Sequence, residues 1–213
     1  MPIISLKHKF IVLLNPKCGS TYLQDKLKKY HDFPIHIYRH TTALNVKNIL
    51  QSHGYNFDDF FVIITIRPVY DHIISAFYQD MLMYKKNKTN KNINKFYTYK
   101  SNINLYIKNE QLDHFTSIKD MICDNHDMCL VDHIFDIKDI KNLLKLLEEK
   151  YNIQISVSDI RNKRNIKLFD KIYTIDDLEN ENIEKLKNRY KYDCKYFENK
   201  LEYKRNNKIL IKE

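Results

Sequence analysis

Residues 11–29 read IVLLNPKCGSTYLQDKLKK, an apolar run, a short turn and then apolar residues at helical spacing among lysines. The chain has two glycines in 213 residues, and one of them, Gly19, lies in this turn. Lys9–Pro16, rich in Ile, Val and Leu, reads as a buried strand. From Ser20 onward Tyr22, Leu23, Leu27 and Tyr30 follow a helical period, with Ser20 or Thr21 as the N-cap. A strand, a loop of phosphate size and a helix are therefore expected in that order.

Working outward, His36–His40 reads as a second short strand and Leu44–Gln51 as a helix. Phe60–Ile66 is a continuous apolar run that suits a central parallel strand. Tyr70–Tyr84 places Ile73, Ile74, Phe77, Tyr78 and Met81 at helical spacing. Strands alternating with helices imply βαβ units and a parallel sheet. The expected fold is one α/β domain over residues 1–213, in three α/β/α layers around a mostly parallel sheet.

Farther along, Lys85–Lys100 is a Lys/Asn tract with little apolar periodicity and reads as a mobile loop. It holds the sequon Asn87-Lys88-Thr89, which matters only in a secreted protein. Leu112–Ile122 reads as a helix, Met128–Phe135 as a strand, Ile137–Tyr151 as an amphipathic helix and Ile175–Phe197 as a final helix. There is no internal repeat.

Composition bounds the partners. The formal charge is +9 and 43% of residues are apolar, which fits a globular protein with an anionic partner: nucleic acid, an acidic glycan or a multiply phosphorylated cofactor. Average usage would give about 15 glycines. Scarce Gly and Ala beside abundant Lys, Asn, Ile and Tyr is the signature of an A+T-rich genome, so lysine richness carries little functional weight. No segment reads as a signal peptide, and no apolar run approaches the roughly 20 residues that span a bilayer. A soluble, cytoplasmic protein with Cys18, Cys123, Cys129 and Cys194 as free thiols is expected.

Phosphate binding needs backbone N–H groups at a helix N-terminus, a glycine for close approach, and often a lysine and a hydroxyl. Lys17, Gly19, Ser20 and Thr21 supply these. The order G-x-x-x-x-G-K-[ST] is absent because Lys17 precedes Gly19.

The order Pro-Lys-x-Gly-Ser-Thr, residues 16–21, resembles the 5′-phosphosulfate loop of the sulfotransferases that use 3′-phosphoadenosine 5′-phosphosulfate (PAPS). FFVIITIRPVYDHIISAFYQD, residues 60–80, is similar to the family's 3′-phosphate motif, in which Arg and Ser stand eight apart, as Arg67 and Ser75 do here. Two departures stand out: Pro68 comes one residue early, and His72 replaces the motif's second arginine. RHTTALNVKNIL (39–50) is similar to a Lys-His-x-Thr-Ala stretch of carbohydrate-type members, and GYNFDDFFVIITIRP (54–68) to their lead into the central strand. Tyr190, Asp193 and Phe197 fit the closing Tyr-x-x-Asp-x-x-x-Phe helix, and LVDHIFDIKDI (130–140) resembles the strand and turn before the family's penultimate helices. The likeness is firm over residues 9–81 and faint over 128–198; residues 85–125 do not align.

The resemblance implies a P-loop nucleotide-hydrolase-like fold and transfer of a sulfuryl group from PAPS, leaving adenosine 3′,5′-bisphosphate (PAP), to a hydroxyl acceptor, a carbohydrate by the motif forms. It implies that Lys17, Cys18, Gly19, Ser20 and Thr21 hold the 5′ end of the cofactor and that Arg67 and Ser75 hold its 3′-phosphate, with no metal. Lys17 is the candidate to offset charge on the departing phosphate. His40, at the end of the expected second strand, is the candidate base, against a merely structural His40. Asp58 and Asp59 are rivals for the base, although adjacent carboxylates before a strand more often form a solvated turn.

Cys18 is expected to be somewhat acidified by the helix terminus and Lys17, with no chemistry assigned to it. Cys123, His126, Cys129 and His133 have a spacing uncommon for zinc and read as incidental. Arg161, Lys163 and Arg164 form a basic turn outside the core site. The competing readings are a nucleotide or nucleoside kinase, which needs an acidic metal-holding residue at a strand end, and a non-catalytic sulfotransferase-like protein that binds glycan or nucleic acid. A pure nucleic-acid module lacks a recognised motif.

Overall fold

Thr65 is the single polar residue of β3 (Phe61–Ile66), a strand whose residues from Val62 to Ile66 are all buried. β-branched residues suit such a strand, and burial on both sides demands near-continuous apolarity. The computed structural model describes residues 1–86, 90–99, 102–109, 116–156, 172–199, 201–202 and 205–211. In it β3 lies between β2 (Phe10–Leu13) and β4 (His133–Asp136), parallel to both. The registers pair Leu13 with Ile64 and Ile66 with Asp136. β1 (Ile3–Ser5) runs antiparallel to β2 and completes the order β1-β2-β3-β4.

The period of two along these strands divides the core. Ile11, Leu13, Val62, Ile64 and Ile134 face α2 (Ala43–Ser52) and α6 (Ile118–Ile122). Phe10, Val12, Leu14 and Ile63 face α1 (Ser20–Leu27) and α7 (Ile140–Tyr151). Helices thus cover both faces of a mostly parallel sheet, as the alternating pattern implied. Each side chain of this kind contributes about 1.5–3 kcal/mol when fully buried.

A third apolar cluster lies on α3 (Val69–Lys86), where Ile73, Phe77 and Met81 meet Tyr106 and Ile107 of α5 (Ile103–Asn109) and Leu186 of α8 (Asn180–Arg189). The Tyr106 hydroxyl donates to buried Asp80 at 2.6 Å, which satisfies a carboxylate inside this cluster.

Several expectations hold: helices form over the stretches expected at 44–51, 70–84 and 137–151, the last beginning with a 3-10 turn at Ile137–Asp139. Others are corrected. Residues 36–40 form no strand. β1 occupies the edge beside β2 instead, and its Ile4 exchanges hydrogen bonds with the following segment, donating to His31 Nδ1 at 3.0 Å and accepting from the Asp32 N–H at 3.2 Å. Within 36–40 only Ile37 is buried, too little to hold a strand against the sheet.

The Lys/Asn tract is helical over α4 (Asn90–Tyr99), where lysine is a good helix former. Tyr99 is buried against Tyr106, with ring centroids 6.1 Å apart. Residues 87–89, which hold the sequon, lie outside the described residues. The strand expected at 128–135 is confined to β4; Met128 and Cys129 make only isolated bridges. Of the helix expected at Leu112–Ile122, residues 112–115 lie outside the described residues, and α6 begins at Ile118, capped by the Ser117 side chain, which accepts from Asp120 N–H. The final helix is a 3-10 turn at Ile175–Asp177, then α8, then α9 (Lys191–Phe197), with the break at Tyr190. No helix among the described residues is long and apolar enough to cross a membrane.

Beyond α9, β5 (Leu201–Glu202) and β6 (Leu210–Ile211) pair antiparallel. Arg205 between them reaches the opposite end of the sheet from the loop: it donates to the Phe60 carbonyl at 2.5 Å, the Phe57 carbonyl at 3.0 Å and Asp132 at 2.6 Å. Asp132 also accepts from the Val62 N–H at 2.7 Å, so one arginine ties the C-terminal segment to the starts of β3 and β4. Arg205→Ala is expected to destabilise the fold by about 2 kcal/mol, since charge-assisted bonds are lost and backbone carbonyls left without their donor. Arg205→Lys should not restore it, because an ammonium cannot serve three acceptors in a plane. Urea denaturation of the three proteins measures both effects.

Candidate anion-binding site

The loop after β2 turns twice through left-handed backbone, at Lys17 (φ 58°) and at Gly19 (φ 81°). The Cys18 N–H closes the first turn on the Asn15 carbonyl at 3.3 Å. Thr65 Oγ1 donates to the Cys18 carbonyl at 2.7 Å, so the only polar side chain of β3 holds the loop from beneath. Gly19, and not Ser20 or Thr21, is the N-cap of α1, with its carbonyl accepting from the Leu23 N–H at 3.0 Å. The first N–H groups of α1 have no partner within the helix and carry its positive dipole end.

Gly19 has a packing role that its sequence context did not reveal. A Cβ there would stand 2.6 Å from Ile140 Cδ1, at the first turn of α7. Close approach at this glycine is approach to α7, in addition to its left-handed φ.

Parallel pairing of β2 and β3 brings the loop and Arg67 to the same edge of the sheet. Lys17 Nζ donates to Gln79 Oε1 on α3 at 3.1 Å. Gln79 is neutral, so this bond directs the ammonium without cancelling its charge. His72 stands on the same face of α3, with Nδ1 3.9 Å from the Cys18 sulfur. Ser75, buried, falls between His72 and Gln79 in the i, i+3, i+7 series and so faces the loop as well.

Arg39 supplies a cation that the sequence reading did not single out. Its Nη2 donates to Thr21 Oγ1 at 2.9 Å and approaches Ser20 Oγ at 3.4 Å. The next residue, His40, is tied to the end of β2: its Nδ1 lies 2.7 Å from the Leu14 carbonyl. A carbonyl only accepts, so Nδ1 carries the proton and Nε2 holds the lone pair of the neutral ring. The strand expected to deliver His40 does not form, yet this hydrogen bond seats the residue beside the loop.

Two groups in the floor of the site are held neutral by burial. Burial, reinforced by the charges of Arg67 and Lys17, pushes His72 down to about 3, against a hydrogen bond to the Pro16 carbonyl that favours the charged ring. His72 therefore brings no positive charge where the resemblance has a second arginine. Burial raises the Cys18 thiol far more than Arg67 and Lys17 lower it, which corrects the expectation of an acidified cysteine. Asp193 is buried, accepts from the Ile118 N–H at 3.0 Å and is pushed up to about 7 by desolvation.

Other expected residues lie elsewhere. Asp58 and Asp59 sit before the start of β3, at the opposite edge of the sheet, where Asp58 faces Arg205 at 3.3 Å and Asp59 accepts from Asn56. They take no part in the site. Asp136, by contrast, ends β4 beside Ile66 at the same edge as the loop, close enough for its charge to act on the Cys18 thiol, and its Oδ1 accepts from the Lys138 N–H at 2.9 Å. Among the described residues no group of three or more His, Cys, Asp or Glu could hold a metal ion, and Cys123, His126, Cys129 and His133 form no such cluster. Arg161, Lys163 and Arg164 fall outside the described residues.

The geometry defines an α/β protein with a cationic loop at the carboxyl edge of its parallel strands, the edge where open sheets bind ligands. Comparison with protein-family models, curated proteins and solved structures finds no match for this chain.

Two outcomes check this description. Gly19→Ala should cost about 1–3 kcal/mol from the left-handed backbone and the overlap with Ile140, read by chemical denaturation. Asp193 binds its proton more tightly folded than unfolded, so its contribution is full below pH about 4 and lost as pH rises through about 7. Asp193→Asn should therefore gain stability relative to wild type as pH rises across that window, measured by urea midpoints at each pH.

Proposed function

We propose that this protein is a sulfotransferase that moves a sulfuryl group from PAPS to a hydroxyl, with carbohydrate as the acceptor class and a P-loop-like variety of the α/β fold. The observation that supports it most is the meeting of the Lys17–Thr21 loop, Arg67 and the His72/Ser75/Gln79 face of α3 at one sheet edge. These are the segments that resemble the family's two phosphate motifs, and here they are neighbours.

The donor set suits a multiply charged anion. Lys17, the Ser20 and Thr21 hydroxyls and the N-terminus of α1 would receive the 5′ end of the cofactor, and Arg39 brings a guanidinium to the same hydroxyls. Arg67 and Ser75 would receive the 3′-phosphate. When bound, PAPS supplies the sulfuryl group. With Nδ1 engaged by the Leu14 carbonyl, Nε2 of His40 would be the atom that takes a proton from the acceptor hydroxyl. Lys17, directed by Gln79, offsets charge on the departing phosphate. The kinase alternative would rest on Asp136, the carboxylate that ends β4, one oxygen of which is engaged by the Lys138 N–H.

Calorimetry and thermal shift with PAP, beside AMP, ADP and magnesium-ATP, test the reading. PAP at 100 times its Kd should add about 2.7 kcal/mol of stability. Arg67→Ala should weaken PAP about 10- to 100-fold, the worth of a charge-assisted bond, while leaving AMP nearly unchanged. Lys17→Ala should remove sulfate transfer with folding intact. No binding of PAP, or a preference for magnesium-ATP, overturns the reading.

A further inference from the structure

Residues 123–129 fold into a small hairpin at the amino edge of the sheet, away from the anion site. The turn Asn125-His126-Asp127 places Asp127 in left-handed backbone (φ 63°), the three-residue hairpin geometry. Asp124 Oδ1 accepts from the His126 and Met128 N–H groups at 2.9 Å each, and Lys119 pairs with Asp127 at 2.7 Å. These contacts determine which residues oppose one another: Cys123 faces Cys129 in an antiparallel bridge.

The type of pairing decides how close the two thiols are. The Leu130 N–H donates to the Ile122 carbonyl at 2.7 Å and the Asp124 N–H to the Met128 carbonyl at 3.0 Å, which bracket the cysteines on either side. Cys123 and Cys129 are thus a non-hydrogen-bonded pair, in which Cα atoms stand about 4.5 Å apart and the side chains leave the same face of the ribbon. A disulfide spans Cα separations of about 4.4–6.8 Å.

We infer that Cys123 and Cys129 are a redox-active dithiol that closes to a cross-strand disulfide, with an oxidised low-molecular-weight disulfide such as glutathione disulfide as the oxidant. The more accessible Cys123, 6% exposed against 0% for Cys129, loses its proton and attacks a glutathione sulfur, releasing one glutathione thiolate. Cys129, deprotonated in turn, attacks the Cys123 sulfur of the mixed disulfide and displaces the second glutathione. Two protein thiols are oxidised and one glutathione disulfide is reduced to two glutathiones. Closure gives up the contact of the Cys129 thiol with the Val131 carbonyl. Burial holds both thiols above their ordinary range, so thiolate is scarce and closure is slow.

The consequence is structural. The Cys129 N–H donates to the Asn207 carbonyl at 2.9 Å and its carbonyl accepts from the Asn206 N–H at 2.8 Å, so the hairpin is the seat of the 205–211 segment. The disulfide staples that seat and leaves the loop at the other edge untouched.

The full-length native chain, held overnight in oxidising or reducing glutathione buffer, blocked with N-ethylmaleimide and digested with trypsin, tests the inference. Asp120–Lys138 forms one tryptic peptide that contains both cysteines and no other. The oxidised sample should give this peptide two hydrogens lighter and free of maleimide, and its Tm should rise by about 5 °C. The rise should vanish in Cys123→Ser; if that variant does not fold, the wild-type peptide map decides. A peptide carrying two maleimides, glutathione on either cysteine, or a disulfide that forms only after unfolding overturns the inference.

Discussion

The hydrogen bond from the Thr65 hydroxyl to the Cys18 carbonyl is the contact on which the site depends. A hydroxyl buried in the central strand must find an acceptor or cost about 1–3 kcal/mol. In the observed register its acceptor is the loop after β2. A slip of β3 against β2 would carry Thr65 away from Cys18 and move Ile63 and Ile64 into the wrong cores at once. One polar atom therefore couples strand register to loop shape. The same register sets Arg67 beside the loop, since both leave the carboxyl ends of paired strands.

Charge is arranged in two tiers around that bond. Below lie groups that burial keeps uncharged, the Cys18 thiol and the His72 imidazole. Around them stand Lys17, Arg39 and Arg67, all half-exposed. An ionised His72 would put a third positive charge close to Arg67 and Lys17 with little water to screen it, and the fold excludes that state. The three cations thus stand at this edge without a charged imidazole beneath them.

Parts of this organisation are legible in the residues because they repeat along the chain. The runs at 10–14 and 60–66 and the helical spacing over 70–84 report burial residue after residue, and burial is what made these elements form. Contacts between one side chain and a distant backbone leave no such trace. Nothing around His31 announces that its ring binds Ile4, so the residue pattern points to a second short strand at 36–40 and not to one at 3–5. Arg205 resembles any surface arginine until it meets Phe57, Phe60 and Asp132. Arg39 carried a local hint, since it precedes His40 in the stretch already singled out, but its partners Ser20 and Thr21 lie on another element. The Lys/Asn tract misled for the converse reason: its weak periodicity conceals a helix that rests on Tyr99 at its end.

Left-handed backbone gives an independent measure of which loop residues are there for their side chains. Asp127, Asn152, Asn199 and Asn206 occupy this region, and Asn152 ends α7 in the role glycine usually takes. A chain poor in glycine meets ordinary left-handed positions with Asn and Asp, whose short side chains tolerate them best. Gly54 is left-handed in open space, whereas a Cβ at Gly19 would have to displace Ile140 Cδ1. Lys17 is the opposite case: asparagine would relieve about 1 kcal/mol of backbone strain there and fit the composition equally well. The other left-handed lysine, Lys9, places its ammonium 4.9 Å from the centre of the Phe60 ring. Where lysine holds a position that backbone energetics assign to asparagine, its side chain offsets the strain, and at residue 17 that side chain reaches Gln79 on α3.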